Sequence, residues 1–385
     1  MRINVKDTDV TNRDQAHLTA LIESQIGRSP SHCERIPAGL GTRRFYRIRF
    51  GAGTPETMIA RIEDDGTAPL NPGAEDAEPL VPNAPAWLTE PSLEPIRTVL
   101  EAAGIRVPAS YARQLSPGID ILEDVGECTL ADLEGPEKIR AYKEACGVIP
   151  RLQCVSGDSK NVPAFERCFD RSLIETKVWK WLYWTIPLLL NRKATAKEVD
   201  DCQRLFSRIA DLVEDAPQRL SHRDYKAENL HCLPEVTSAQ RRASSPSATR
   251  ERLVLIDVQG AFMAPPEYDL VCLLCDMQVE LDEKFILHAF EDWLPQLPNA
   301  PDSADARVRF NALAVARLCK DISHVVHAGR VGHDLRRWHE IPRGLSLLAR
   351  ATERLASGMP EASPLISLIQ ALTPAVQPAD SPRRG

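Results

Sequence analysis

The chain has 385 residues, enough to bury a sizeable core in one two-lobed unit or in two domains. A net charge of −7 excludes a surface built broadly for nucleic acid or an anionic membrane, while leaving room for a local basic cleft. Hydrophobic residues make up 43% and charged residues 26%, the balance of an ordinary globular protein. Residues 1–7 hold no apolar signal core, and no run reaches the roughly 18 apolar residues of a membrane span, so a cytoplasmic protein is expected. Ten cysteines are scattered without paired metal spacing. The lone C-x-x-C, Cys272 to Cys275, lies in an apolar helical run, which predicts reduced, buried thiols.

In chain order, Leu18, Leu21, Ile22 and Ile26 share one helical face, which predicts a helix over 13–27. Gly39 and Gly41 then open a turn into an alternating strand, with Tyr46, Ile48 and Phe50 on one side and Arg47 and Arg49 on the other. A second strand is predicted over 58–62. Residues 64–91 hold six prolines and little periodicity and read as a loop or insertion. A helix over 92–103 ends at Gly104, and a strand over 119–123 exits through Asp124.

Beyond about residue 127 helices dominate, at 136–155, 165–191, 196–215, 268–278, 282–296, 306–329 and 343–357. Residues 235–251 form a polar insertion within a hairpin, and 375–385 a frayed, disordered tail. The expected fold is therefore α+β and two-lobed: a small strand-rich lobe over 1–125 and a larger helical lobe over 126–374.

The chemistry concentrates at His222-Arg223-Asp224-Tyr225-Lys226-Ala227-Glu228-Asn229 and at Asp257, which closes the apolar strand 253–256. Moving a phosphoryl group needs a carboxylate to receive the acceptor's proton and oxygen ligands to hold a divalent cation against the phosphates. Asp224 is suited to the first task, with Asn229 and Asp257 suited to the second. Tyr268-Asp269-Leu270 follows closely behind.

These residues resemble the aminoglycoside phosphotransferase-type branch of the kinase-like fold, and within it the bacterial anomeric sugar kinases that act on N-acetylmuramate and N-acetylglucosamine. That subgroup carries motifs like HRDYHSRN, IDFQDA and YDLVSLLRD; this chain has HRDYKAEN, IDVQGA and YDLVCLLCD. The likeness runs over about 15–357 and is strongest at 222–275. It implies a protein-kinase-like fold, ATP and Mg²⁺ as cofactors, and a small-molecule acceptor, most closely the anomeric hydroxyl of an N-acetylated amino sugar. It implies neither a nucleic-acid partner nor a membrane. Gln259-Gly260 and Lys226-Ala227-Glu228 depart from the subgroup beside the reacting groups.

By the same resemblance, Gly39 and Gly41 approach phosphates, Arg61 takes the place of the strand lysine with Glu94 or Glu90 as its carboxylate partner, Glu94 preferred, and Glu123 marks the adenine hinge. Lys226 and Arg223 are candidates for the phosphoryl group or acceptor, and Arg223 and Arg317 for an acceptor carboxylate. His222 is expected to hold loop backbone, and Asp269 to fix Asp224 through hydrogen bonds to the loop. Trp179, Trp181, Tyr183 and Trp184 are expected in packing. Asp321, His324 and His327 share a helical face and read as polar-face residues rather than a metal site. Two other readings stand beside the sugar kinase: an aminoglycoside, choline or homoserine kinase, for which the acidic stretch 282–292 would suit a cationic acceptor, and a degenerate kinase-like binding protein. A protein kinase is disfavoured by the short stretch between Asp257 and Tyr268.

Overall fold

Alternation of buried and less buried residues over 45–50 sets the core face of the first unit's sheet. A computed structural model describes residues 5–37, 43–51, 53–63, 91–115, 118–234 and 252–376. It divides into two compact units. In the first, strands β1 (His32–Ile36), β2 (Arg44–Arg49), β3 (Thr57–Ile62), β4 (Ser110–Gln114) and β5 (Ile119–Glu123) form an antiparallel sheet ordered β1-β2-β3-β5-β4. Tyr46, Ile48, Met58, Ala60, Ile62, Ile119 and Ile121 line one face and pack against Leu18, Leu21 and Ile22 of helix α1 (Val5–Ile26). That helix begins well before the predicted residue 13.

The opposite face carries arginines held by carboxylates. Arg47 donates to Asp124 at 2.8 Å, and Arg61 bridges Asp120 and Glu63, both at 2.7 Å. Gly39, Gly41, most of the 64–91 insertion, the 235–251 insertion and residues 377–385 lie outside the described residues.

Helix α2 (Glu94–Ala102) belongs to the second unit rather than to the strand-rich lobe in which the sequence placed it. Its exit is tied there by Arg151 donating to the Gly104 carbonyl at 2.7 Å and by the Leu255 amide donating to the Arg106 carbonyl at 2.9 Å. The rest of this unit is helical, with two small antiparallel ladders: β6 (Arg219–Ser221) on β9 (Phe262–Ala264), and β7 (Leu230–Cys232) on β8 (Leu253–Leu255).

The helix Ser303–Arg330 runs through the core. Asp302 caps its start by accepting the amides of Ala304 and Asp305, and its middle, from Ala312 to Cys319, is buried on every face. The stretch predicted as one helix over 165–191 is broken into Arg171–Lys180, a wider π-turn at Trp181–Thr185, and Ile186–Leu190. A final helix, Ser363–Leu372, escaped the sequence reading because its apolar run is short and framed by prolines. Among the described residues no helix is long and apolar enough to cross a membrane.

Candidate active site

The loop 222–229 joins β6 to β7, and its backbone is pinned at nearly every residue. Asp269, fully buried in the first turn of the helix Tyr268–Leu274, accepts the amides of His222 at 2.8 Å and Arg223 at 3.3 Å. Arg223 is left-handed (φ 81°), a conformation costly for a residue with a side chain. Its carbonyl accepts Nη1 of Arg317 at 3.1 Å and the Cys272 thiol at 3.3 Å. The Asp224 carbonyl accepts the Lys226 amide and Nδ2 of Asn229, each at 2.8 Å. Asp276 accepts the Ala227 amide at 3.3 Å. The surroundings thus impose a kink that the loop would not choose, and the kink aims the Asp224 side chain.

The same loop is laced to the strand that delivers Asp257. The Ile256 amide donates to the Asn229 carbonyl at 3.1 Å, and Nε2 of His222 donates to the Ile256 carbonyl at 2.9 Å. Asn229 and Asp257 are thereby set side by side on neighbouring backbone segments. Asp257 is itself left-handed (φ 60°) with an exposed side chain, and Gln259 donates to its Oδ1. Burial holds the His222 imidazole below its ordinary value against the opposing pull of Asp257 and Asp224, so it stays a neutral donor to the backbone.

Asp224 is partly buried, with 27% of its side chain exposed. Burial alone would raise its pKa, but Lys320, Arg317, Arg223 and Lys226 together drive it far below the usual carboxylate range. Arg317 reaches its Oδ1 at 3.5 Å and Oδ2 of Asp321 at 3.3 Å, while Lys320 bonds Asp321 at 2.7 Å. Lys226 pairs with Glu228, whose other oxygen accepts from Gln278 at 2.6 Å.

For Asp269 burial wins: its carboxyl is pushed up to about 7 in spite of the amides of His222 and Arg223 and the charge of Arg317. A folded-state pKa above the unfolded value means that its contribution to stability is complete below about pH 4 and is lost as the pH rises through about 7. Urea unfolding of wild type and Asp269→Asn at pH 5 and pH 8 checks this. The wild type loses stability across that range at up to about 1.4 kcal/mol per pH unit relative to the variant. Parallel pH curves would refute it.

Arg61 and Glu94 are each engaged by partners other than those the resemblance implied: Arg61 by Asp120 and Glu63, and Glu94 by Arg97 at 2.7 Å along its own helix. These partners are local: Asp120 is paired directly across from Arg61 on the neighbouring strand, and Arg97 lies one turn from Glu94. Glu123 closes β5 by accepting the Ala109 amide at 3.0 Å.

Arg317, one of two sequence candidates for an acceptor carboxylate, is only 3% exposed and donates to the loop carbonyl of Arg223. Trp181 is buried, Trp179 stacks on Tyr183 at 5.2 Å, and Trp184 lies 4.2 Å from the His327 ring. His324 meets Lys180 at 2.8 Å, and among the described residues no group of three His, Cys, Asp or Glu is arranged to hold a metal ion.

Sequence reasoning missed Lys177, Lys180, Lys320 and Asp276. The signal was present for Lys320: Arg317, Lys320, Asp321 and His324 recur at steps of three and four along the helix.

No family model matches the chain. It is 27% identical over 282 residues to an N-acetylmuramate/N-acetylglucosamine kinase of Neisseria meningitidis serogroup B, covering 69% of this chain and 76% of that protein. The fold is similar to choline kinase from Streptococcus pneumoniae, with a TM-score of 0.55 and 16% identity over 90% of this chain and 99% of that one. It is also similar to a GDP complex of an aminoglycoside 2'-phosphotransferase, with a TM-score of 0.50 and 15% identity over 88% and 97%. The chain has a kinase-like fold, similar to that of choline and aminoglycoside phosphotransferase structures, and is similar in sequence to an N-acetylmuramate/N-acetylglucosamine kinase.

Proposed function

We propose that the chain transfers the γ-phosphoryl group of ATP to the anomeric hydroxyl of an N-acetylated amino sugar, with Mg²⁺ as cofactor, in cell-wall recycling in the cytoplasm. The observation that carries this reading is the lacing of the Asp224 loop to the Asp257 strand through the Asn229–Ile256 and His222–Ile256 hydrogen bonds. Holding the two backbone segments together supports a proton-accepting role for Asp224 and an oxygen-ligand role for Asn229 and Asp257.

In the reaction, the sugar oxygen forms a bond to the γ-phosphorus as the bond to the bridging oxygen breaks. ADP departs with that electron pair, and the hydroxyl proton passes to Asp224. Asn229 and Asp257 suit magnesium, which takes hard oxygen ligands and completes its shell with phosphates and water. Bound there, the ion would neutralise charge on the phosphates. Asp224 orients the acceptor hydroxyl, Asp269 and Arg317 hold its loop, and His222 fixes the strand to the loop. Gly39, Gly41, Arg61 and Glu123 keep the nucleotide roles that the sequence resemblance assigns them.

The amino-sugar acceptor is supported by the relative's name and by the catalytic-loop positions shared with that subgroup, His222 to Tyr225 and Asn229. A polycationic acceptor has less support. On the acidic stretch, Asp282 caps its own helix, Glu283 pairs with Arg350 and Arg354, and Glu291 pairs with Arg307 at 2.7 Å. A non-catalytic reading leaves the conjunction of Asp224, Asn229 and Asp257 without a purpose.

ADP release with magnesium and ATP, measured against N-acetylmuramate, N-acetylglucosamine, glucose, kanamycin, choline and homoserine, tests the proposal. Turnover is expected with an N-acetylated sugar, with the product's phosphorus coupled to the anomeric proton in NMR spectra. Turnover confined to choline, kanamycin or homoserine would overturn it.

A further inference from the structure

Next to Asp224 the second unit gathers more positive charge than its own carboxylates answer. Lys180 closes the helix Arg171–Lys180 with Nζ 2.8 Å from Nε2 of His324 and 5.3 Å from the Trp184 ring. Among the described residues no carboxylate pairs with it. One turn earlier on that helix lies Lys177, only 3% exposed, its Nζ 5.1 Å from the Phe169 ring and likewise without a carboxylate among the described residues. Across from them Lys320 and Arg317 share Asp321, at 2.7 Å and 3.3 Å. Lys320 also exerts the largest attractive charge effect on Asp224.

Clustering like charges away from water is unfavourable, and a fold keeps such a cluster where something else offsets it. The π-turn Trp181–Thr185 follows directly after Lys180, a type of irregularity found often at functional sites.

Resting on the sugar-kinase reading above, we propose that Lys180 and Lys320 form a subsite for a carboxylate on the acceptor, and that they set specificity for an acidic amino sugar over its neutral counterpart. N-acetylmuramate bears a lactyl carboxylate that N-acetylglucosamine lacks. A carboxylate seated between the two ammonium groups gains charge-assisted hydrogen bonds, whereas a neutral sugar offers them no negative charge. The cluster also explains why burial, with Lys320 and Arg223, lowers the Lys180 ammonium to about 8. Arg317 is excluded from the subsite because the loop carbonyl and two aspartates already occupy it.

The test is the ratio of kcat/KM for N-acetylmuramate to that for N-acetylglucosamine, in wild type, Lys180→Gln, Lys320→Gln and Lys180→Arg, each with its thermal midpoint. Wild type is expected to favour the acid at least tenfold. Lys180→Gln and Lys320→Gln should each collapse the ratio by tenfold or more, mainly through KM of the acid, and Lys180→Arg should restore most of it. A merely structural role would shift both sugars together and leave the ratio in place, which would overturn the proposal, as would a wild type that prefers the neutral sugar. If neither sugar is phosphorylated while ATP still binds, the sugar-kinase reading fails. The subsite is then read by calorimetric titration with the same two sugars. Binding of N-acetylmuramate alone, lost in Lys180→Gln, supports it; binding of neither sugar overturns it.

Discussion

Asp224→Asn is expected to lower kcat by about 10²–10⁴-fold, the range that a positioned general base contributes. The substitution keeps the size of the side chain and removes only its charge and its ability to take a proton. The Asp224 carbonyl still accepts the Lys226 amide and Nδ2 of Asn229, so the loop's backbone path is retained. The change does remove a carboxylate from among Lys320, Arg317, Arg223 and Lys226, which hold it far below its ordinary pKa. The variant should therefore melt lower than wild type above about pH 4. The lost stability is that of an acid whose folded-state pKa is depressed, which is present above the unfolded value and fades as the pH falls through the folded one. Steady-state kinetics on the acceptor with the highest turnover, alongside nucleotide binding by calorimetry, separates the two effects. Loss of turnover with ATP affinity kept within a few-fold is the expected pair. A kcat within threefold of wild type would remove Asp224 from the chemistry.

Much of this was legible in the sequence because it is local. The HRDYKAEN loop, the strand ending at Asp257 and the buried Asp269 each announce themselves within about ten residues. The alternation of Tyr46, Ile48 and Phe50 likewise gave the sheet its core face. What was not legible is partner choice across long separations. The sequence offered Glu94 to Arg61 by family position, yet the antiparallel register of β3 on β5 sets Asp120 directly opposite Arg61. It offered Arg317 as a candidate for a ligand, yet the helix Ser303–Arg330 presents that side chain to a carbonyl and a carboxylate 94 and 93 residues earlier in the chain. The π-turn was hidden because helical periodicity continues on both sides of it. Helix boundaries erred where caps are weak: α1 has no proline or glycine stop before residue 13, and its true start lies at Val5.

Arg317→Met is expected to destabilise the second unit by about 3–5 kcal/mol, the cost of removing one partner from a buried charge network. Methionine fills similar space, so the change is chiefly electrostatic and polar rather than a cavity. Three groups each lose one of their partners together: the Arg223 carbonyl at 3.1 Å, Asp224 at 3.5 Å and Asp321 at 3.3 Å. The first of these helps to hold a left-handed non-glycine residue in place, so its loss relaxes the kink that aims Asp224. Misplacing the base by about 1 Å is enough to cost 10²-fold in rate, and kcat should fall by about that factor even in the folded fraction. Arg317→Lys returns a charge but not the planar fork that serves several acceptors at once, and should recover stability more than turnover. A double-mutant cycle with Asp321→Asn isolates the pair, with a coupling of about 0.5–3 kcal/mol expected for neighbours in one network. Additive losses, or an Arg317→Met chain with wild-type melting and kcat, would mean that Asp269 and Cys272 hold the loop without help from the long helix. The Asp224 geometry would then owe nothing to the helix that carries Lys320 and His324.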